Sequence, residues 1–361
     1  MLTVRLVTTA ATLQITDPGA PTAPNENPLT RWALGLIVDP RDLPFLKLIA
    51  SASAILFPFA FYLFLPGRFR WWLAALYLAV NFLGFLDRYI LMLHNTSHRT
   101  LFKPALRAMN HYIPWVLGPF FGESPETYYS HHVGMHHPEN NLPDDLSSTM
   151  RFQRDRFDHF MRYFLRFFCL GIVEVSMYLG RKGRRQLMRR MLTGELLFLV
   201  SVALLSCVNW RATLMVFIVP FVTVRFLMMA GNWGQHAFID PARPGNAYVN
   251  SLTCINSRYN QRCFNDGYHI GHHVKANRHW SEMPSDFEKN LATYASEGAI
   301  VFEGIDFFIV WLMLMLRRYD WLAARYVNLD ERERGTDEII ALLRSRTEPI
   351  LSVPAPMTSN G

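Results

Sequence analysis

The chain has 361 residues, 50% of them hydrophobic, and a formal net charge of +7. This composition excludes an intrinsically disordered protein, since disordered chains are poor in apolar residues. Four cysteines in a chain of this length exclude a disulfide scaffold, and their lack of CxxC spacing argues against a thiolate zinc site. We expect them to be buried packing residues of a protein in a reducing compartment.

The apolar residues are concentrated in four stretches, and a membrane-spanning helix needs about 20 such residues. Short polar connections join residues 48–65 to 71–93 and residues 196–210 to 212–230, the second connection being marked by Arg211. Because connections this short allow only helical hairpins, the pattern predicts four transmembrane helices in two hairpins. Buried helices of a soluble protein are also apolar all round, but four of them in tight pairs are hard to bury in water.

Three other stretches, 101–121, 157–178 and 300–318, combine aromatic and apolar residues with basic ones. Their lengths and charges are typical of helices that lie in the membrane interface. A fifth span that includes Phe307–Leu316 is the alternative, but this stretch is short and follows two acidic residues.

Basic residues are concentrated between the two predicted hairpins. They are Arg181, Lys182, Arg184, Arg185, Arg189 and Arg190. The positive-inside rule therefore predicts that both termini and residues 94–194 are cytoplasmic. No nucleic-acid-binding motif accompanies this charge, so we expect no nucleic-acid partner and interpret the run as an orientation signal that also attracts anionic lipid.

The two ends of the chain differ in composition from the part between them. Residues 1–40 begin with a stretch rich in Thr, Ala and Pro, and we predict a disordered N-terminal tail there. Residues 41–325 are predicted to form one membrane-embedded domain, and residues 326–361 a C-terminal tail. The predicted fold is all-α: four transmembrane helices with a helical cap on the cytoplasmic side.

The histidines of this chain are clustered, and most of the clusters follow an apolar stretch. Nine of the thirteen belong to the clusters: His94 and His98; His132, His136 and His137; His236; His269, His272 and His273. Residues three or four apart share one face of a helix, so each cluster can direct two imidazoles at one point. Asn232 and His236 have the same spacing. We expect the remaining four, His111, His131, His159 and His279, to have surface or hydrogen-bonding roles.

Neutral imidazole is a good ligand for iron, zinc, copper and nickel. Nine histidines exceed the needs of one ion, whereas two ions with four or five nitrogens each would use them all. His132 and His137 lie further apart around an ideal helix, so the middle cluster either ends its helix or divides its ligands between two metals. A structural zinc site closes at four ligands and usually includes Cys, which argues against that alternative.

Metal-binding histidines usually donate their second ring N–H to a carboxylate or carbonyl. Acidic residues near the clusters are therefore candidates for orienting the ligands. They are Asp144 and Asp145 after the second cluster, Asp266 before the third, and Glu123 and Glu126 ahead of the second.

The spacings Hx3H, Hx3HH and HxxHH, in this order around two apolar hairpins, resemble the three histidine boxes of the membrane fatty acid desaturase family. The resemblance runs from about residue 48 to about residue 290 and includes Asn232 with His236. It implies a di-iron centre held by the nine clustered histidines, with Asn232 holding iron through a water. It also implies dioxygen as co-substrate, a lipid acyl substrate in the bilayer, and two electrons from a partner.

The third box begins with His269 rather than the Gln of front-end desaturases, and no His-Pro-Gly-Gly haem motif is present. We therefore expect a separate electron donor of the cytochrome b5 or ferredoxin type. The resemblance implies an oxidoreductase that introduces a double bond into an acyl chain. A hydroxylase or ketolase of a lipid, sphingoid or carotenoid chain is the alternative, since the short first box also occurs there. A metal transporter is disfavoured because the histidines lie at the ends of the spans.

Overall fold

The computed structural model describes residues 8–9, 13–20, 27–330, 332 and 334–351. The chain is mostly helical, in agreement with the predicted class, and it adds two short parallel strand pairs. The helices are α1 (Pro28–Leu36), α2 (Leu43–Phe64), α3 (Trp71–Ala79), α4 (Asp87–His98), α5 (Thr127–His131), α6 (His137–Glu139), α7 (Phe157–Arg181), α8 (Arg185–Thr213), α9 (Val219–Gln235), α10 (Ala247–Asn250), α11 (Arg258–Arg262), α12 (His269–Val274), α13 (Met283–Lys289), α14 (Leu291–Glu297), α15 (Phe307–Met315), α16 (Tyr319–Ala323) and α17 (Thr336–Ser345).

Shorter elements interrupt or connect these helices. Four π-helical segments are Val80–Leu86, Ile113–Leu117, His132–His136 and Leu214–Ile218, and four 3₁₀ segments are Pro40–Asp42, Pro104–His111, Gly118–Phe121 and Trp280–Glu282. The strands are β1 (Thr8–Thr9), β2 (Leu252–Ile255), β3 (Ile300–Glu303) and β4 (Val327–Asn328), paired as β1 with β4 and β2 with β3.

The chain divides into two compact units. The first unit comprises residues 1–19, 136–169 and 229–361, and the second unit comprises residues 20–135 and 170–228. In the first unit, the β2–β3 pair and helices α15–α17 enclose a core that includes Phe238, Phe302, Leu314 and Leu322. In the second unit, α2 contacts α3, α4 and α8.

Among the residues that the structure describes, four helical stretches are long and apolar enough to cross a membrane: Pro40–Phe64, Trp71–His98, Phe157–Arg181 and Arg185–Gln235. The first two contain the predicted spans 48–65 and 71–93. The third was expected to lie in the interface. Its 25 residues form one uninterrupted helix that is also long and apolar enough to span, with exposed apolar side chains such as Leu165, Val173 and Met177.

The fourth stretch contains both predicted spans 196–210 and 212–230. Its helical geometry breaks at Asn209, where φ is −155° and ψ is 90°, two residues before the predicted turn at Arg211. The side chain of Asn209 caps the following turn by accepting from the Ala212 N–H, and it donates to the Leu63 carbonyl at the end of α2. The division of this stretch into a hairpin stays a prediction.

Two other expectations need correction. Residues 300–318 do not form one interfacial helix, because β3 pairs with β2 and α15 begins only at Phe307. The free thiols of Cys169 and Cys207 are exposed, whereas Cys254 and Cys263 are buried as expected. The two exposed cysteines lie on α7 and α8, among apolar side chains that face outwards.

Parts of both predicted tails are structured. Asp17 is buried, and α1 lies within the segment predicted to be disordered. The C-terminal segment contains α17, an amphipathic helix that buries Ile339 and Leu343 in the core of the first unit. Residues 1–7, 10–12, 21–26, 331, 333 and 352–361 of the predicted tails lie outside the described residues.

Candidate metal centre

Four histidines of the first unit converge on one point. His136 ends a π-helical turn, His236 follows α9, and His269 and His273 lie one turn apart on α12. One ring nitrogen from each lies within 4.8 Å of the others. The Nε2 atom of His269 is 3.3 Å from that of His236 and 3.0 Å from that of His273.

Hydrogen bonds on the far side of two rings fix which nitrogen faces this point. The Nδ1 atom of His136 lies 2.7 Å from Asp145, and that of His236 lies 2.9 Å from the Asn250 carbonyl. Since a carboxylate and a carbonyl only accept, both Nδ1 atoms donate and each Nε2 keeps a lone pair. Burial, followed by the nearby His136, lowers the pKa of His236 to about 3. Neutral imidazoles with converging lone pairs suit a divalent metal ion.

Two further histidines of the first unit form a close pair. The Nε2 atoms of His137 and His272 are 2.8 Å apart, and their rings are nearly perpendicular. His136 and His137 are adjacent in sequence, yet His136 belongs to the four-histidine cluster and His137 pairs with His272. The histidines of the second box therefore have different histidine neighbours, and the division of ligands between two metals stays a prediction.

Three histidines of the second unit lie together. His94 and His98 are one turn apart on α4, as their spacing predicts, and the His98 and His132 Nε2 atoms are 3.0 Å apart. The rings of His94 and His132 are separated by 4.6 Å, and Tyr128 stacks on His132. These contacts bring the first box and the start of the second box to one place.

Asn232 takes part in a network that also contains the second box. Its Nδ2 donates to the Tyr163 hydroxyl over 2.7 Å and to the Ser147 carbonyl over 3.1 Å. The Ser147 N–H and hydroxyl both donate to Asp145, the carboxylate that accepts from His136. Because both N–H groups of the Asn232 amide are used, its Oδ1 is the atom left to accept from a water.

The candidate orienting carboxylates have different surroundings. Asp145 contacts a clustered histidine directly, whereas its neighbour Asp144 is exposed. Asp266 accepts from the Tyr259 hydroxyl, and Glu126 accepts from Trp115 and Arg190. Glu123 is buried, and burial raises its pKa to about 7.

Three of the four other histidines have the roles expected of them. His111 is exposed and lies 3.9 Å from Glu126. The Nδ1 atom of His159 accepts from the Gln153 N–H, and that of His279 accepts from the Ser281 N–H. Sequence analysis missed Tyr163, Ser147 and the Asn250 carbonyl, because none carries a motif and each joins the network only through the fold.

A family model described as fatty acid desaturase matches residues 69–304, a segment that contains all nine clustered histidines. The chain belongs to the fatty acid desaturase family. Membership in the fatty acid desaturase family makes it an oxidoreductase, and the four apolar helical stretches make it a membrane protein. No curated protein and no solved structure gives a significant match.

Proposed function

We propose that this protein is a di-iron, dioxygen-dependent oxidoreductase that introduces a double bond into a lipid acyl chain. The observation that carries the proposal is the convergence of four histidines, three of them buried and His273 half-buried, in a member of the fatty acid desaturase family. When bound, two irons would use dioxygen to oxidise an unactivated C–H bond, which no acid or base of a protein can do alone.

One iron would be held by His136, His236, His269 and His273, with Asn232 contributing through a water. The family resemblance implies that the remaining clustered histidines hold the other iron. This assignment rests on the chemistry of the donors, since neutral imidazole is a good ligand for iron.

The surrounding residues hold the ligands rather than react. Asp145 and the Asn250 carbonyl keep a proton on Nδ1 of His136 and His236, so that Nε2 remains the donor to metal. Burial excludes water from His136, His236 and His269. A dry site of this kind protects a strong oxidant from side reactions.

The reaction requires electrons from outside. Desaturation removes two hydrogens from adjacent methylenes, and with two further electrons and two protons it reduces one dioxygen to two waters. We propose that a separate one-electron carrier, of the cytochrome b5 or ferredoxin type, supplies these electrons.

We further propose that the segment between the two predicted hairpins is cytoplasmic. Its basic residues Arg181, Arg185 and Arg189 are exposed, which supports this orientation.

Expression of the full chain in a host of known lipid composition, with mass spectrometry of total lipids, tests the proposal. A new lipid lighter by two hydrogens is expected. His272→Ala should abolish it, whereas His159→Ala, which changes a histidine outside the clusters, should not. A lipid that gains oxygen would favour the hydroxylase or ketolase. Unchanged lipids with altered metal uptake would favour a transporter.

A further inference from the structure

Residues 13–18 of the first unit contact the loop that precedes the third histidine box. One carboxylate oxygen of Asp17, Oδ2, accepts three hydrogen bonds from this loop. The donors are the Asn256 N–H at 2.7 Å, the Asn260 side chain at 2.9 Å and the Tyr268 hydroxyl at 2.7 Å. Tyr268 directly precedes His269, the first residue of α12.

Two asparagines extend this contact through the loop. Asn260 accepts from the Gly267 N–H and donates to the Cys254 carbonyl, each over 2.9 Å. Asn265 donates to the Pro18 carbonyl over 2.7 Å. The conformation of residues 256–268 therefore depends on a carboxylate that is distant from it in sequence.

Asp17 is 7% exposed, so its charge depends on these donors for the solvation that water would otherwise give. Hydrogen bonds to a charged acceptor are about twice as strong as neutral ones. If the carboxylate is removed, the Asn256 N–H, the Asn260 side chain and the Tyr268 hydroxyl lose this acceptor, and Asn260 and Tyr268 are buried. The loop would then have to move to satisfy them, and His269 adjoins it.

We propose that Asp17 is a positioning residue for the metal centre: its carboxylate fixes the loop before α12 and so fixes His269, His272 and His273. This inference rests on the proposed function, because it assumes that these histidines bind iron. Asp17 lies within the segment that composition predicts to be disordered, so nothing in the sequence pattern indicates this role.

The test measures how fast the purified, iron-loaded full chain releases iron to a chelator. Asp17→Ala should release iron faster than the wild-type protein by up to about 10-fold, the lower end of the effect of losing a direct hydrogen-bond partner of a ligand, because Asp17 acts on the histidines only through the loop. Tyr268→Phe, which removes one of the three donors, should have a smaller effect in the same direction. Asp17→Asn keeps an acceptor oxygen in the same place, so it should release iron more slowly than Asp17→Ala does.

Two control variants separate positioning from general stability. Gln14→Ala changes an exposed side chain of the same segment and should behave as the wild-type protein. Ile339→Ala lowers stability from the core of the first unit without touching the loop, and it should leave iron release unchanged. Unchanged release in both Asp17→Ala and Tyr268→Phe would overturn the proposal, as would equally fast release in Ile339→Ala. A wild-type protein that takes up no iron would instead overturn the proposed function.

Discussion

His136 donates its Nδ1 proton to Asp145 over 2.7 Å, and both side chains are buried. The Asp145 carboxylate also accepts from the Asn141 N–H and from the N–H and hydroxyl of Ser147. With donors on both of its oxygens, the carboxylate is held in one orientation. His136 is held in turn, with Nε2 as the nitrogen that can bind a metal.

Replacing this carboxylate should weaken metal binding. Asp145→Asn removes the charge that stabilises the Nδ1 proton of His136, and we expect iron affinity to fall about 10-fold to 100-fold. Asp144→Asn is the matched control, because Asp144 is the adjacent carboxyl group and is exposed. Titration of both purified variants with Fe²⁺ measures the difference. Equal affinities in the two variants would contradict the role assigned to Asp145.

Tyr163 supports the same network from the side of Asn232. Tyr163→Phe removes the oxygen that accepts from Asn232 and that donates to the Ser147 carbonyl. We expect a loss of about 0.5–1.5 kcal/mol in the free energy of unfolding, together with lower turnover because Asn232 keeps only its hydrogen bond to the Ser147 carbonyl. Thermal unfolding and a lipid desaturation assay measure the two effects. Tyr129→Phe, at an exposed position, should change neither.

Gly234 lies between Asn232 and His236, where α9 meets α15. A Cβ at this position would overlap the backbone carbonyl of Phe307, which cannot move without shifting α15. Gly234→Ala should therefore destabilise the protein by about 1–3 kcal/mol. Gly231→Ala, on the same helix but in open space, should be neutral or stabilising by up to about 1 kcal/mol. Similar melting temperatures for the two variants would show that α9 and α15 do not approach this closely.

Glu123 should make stability depend on pH. Burial raises its pKa to about 7, so the folded protein holds this proton more tightly than the unfolded chain does. Its stabilising effect is fully present below about pH 4.5 and is lost as the pH rises to about 7. Glu123→Gln stays neutral, so the wild-type protein should lose stability relative to this variant between pH 5 and pH 8. Thermal unfolding across this range measures the difference, and Glu288→Gln, at an exposed position, is the control. Coinciding pH profiles of the wild-type protein and Glu123→Gln would refute the effect.

The pairing of His94 with His98 was predictable from sequence, because helical spacing alone places both on one face of α4. The same argument paired His269 with His272, whereas in the structure His269 lies beside His273 and His272 lies beside His137. The choice between Asp144 and Asp145 was not predictable. The two are neighbours of the same chemistry, and only the fold shows which one is buried.

The helices were also predictable only where the sequence pattern is unambiguous. Residues 48–65 and 71–93 were recognised because no charge interrupts most of their length. In α7, Arg162 and Arg166 gave a helix long enough to span the charge pattern of an interfacial one.

Residues 13–18 carry no periodic pattern, and their contacts with residues 256–268 join parts of the chain more than 200 positions apart. Single-sequence reasoning has no signal for such a contact.

The central claim is that the clustered histidines hold two irons. The most direct test is metal analysis of the wild-type protein purified from iron-replete cells, beside His272→Ala and the control His159→Ala. We predict about two irons per chain in the wild-type protein and in His159→Ala, and a loss of iron in His272→Ala. Zinc as the only metal in the wild-type protein, or a full complement of iron in His272→Ala, would contradict the claim.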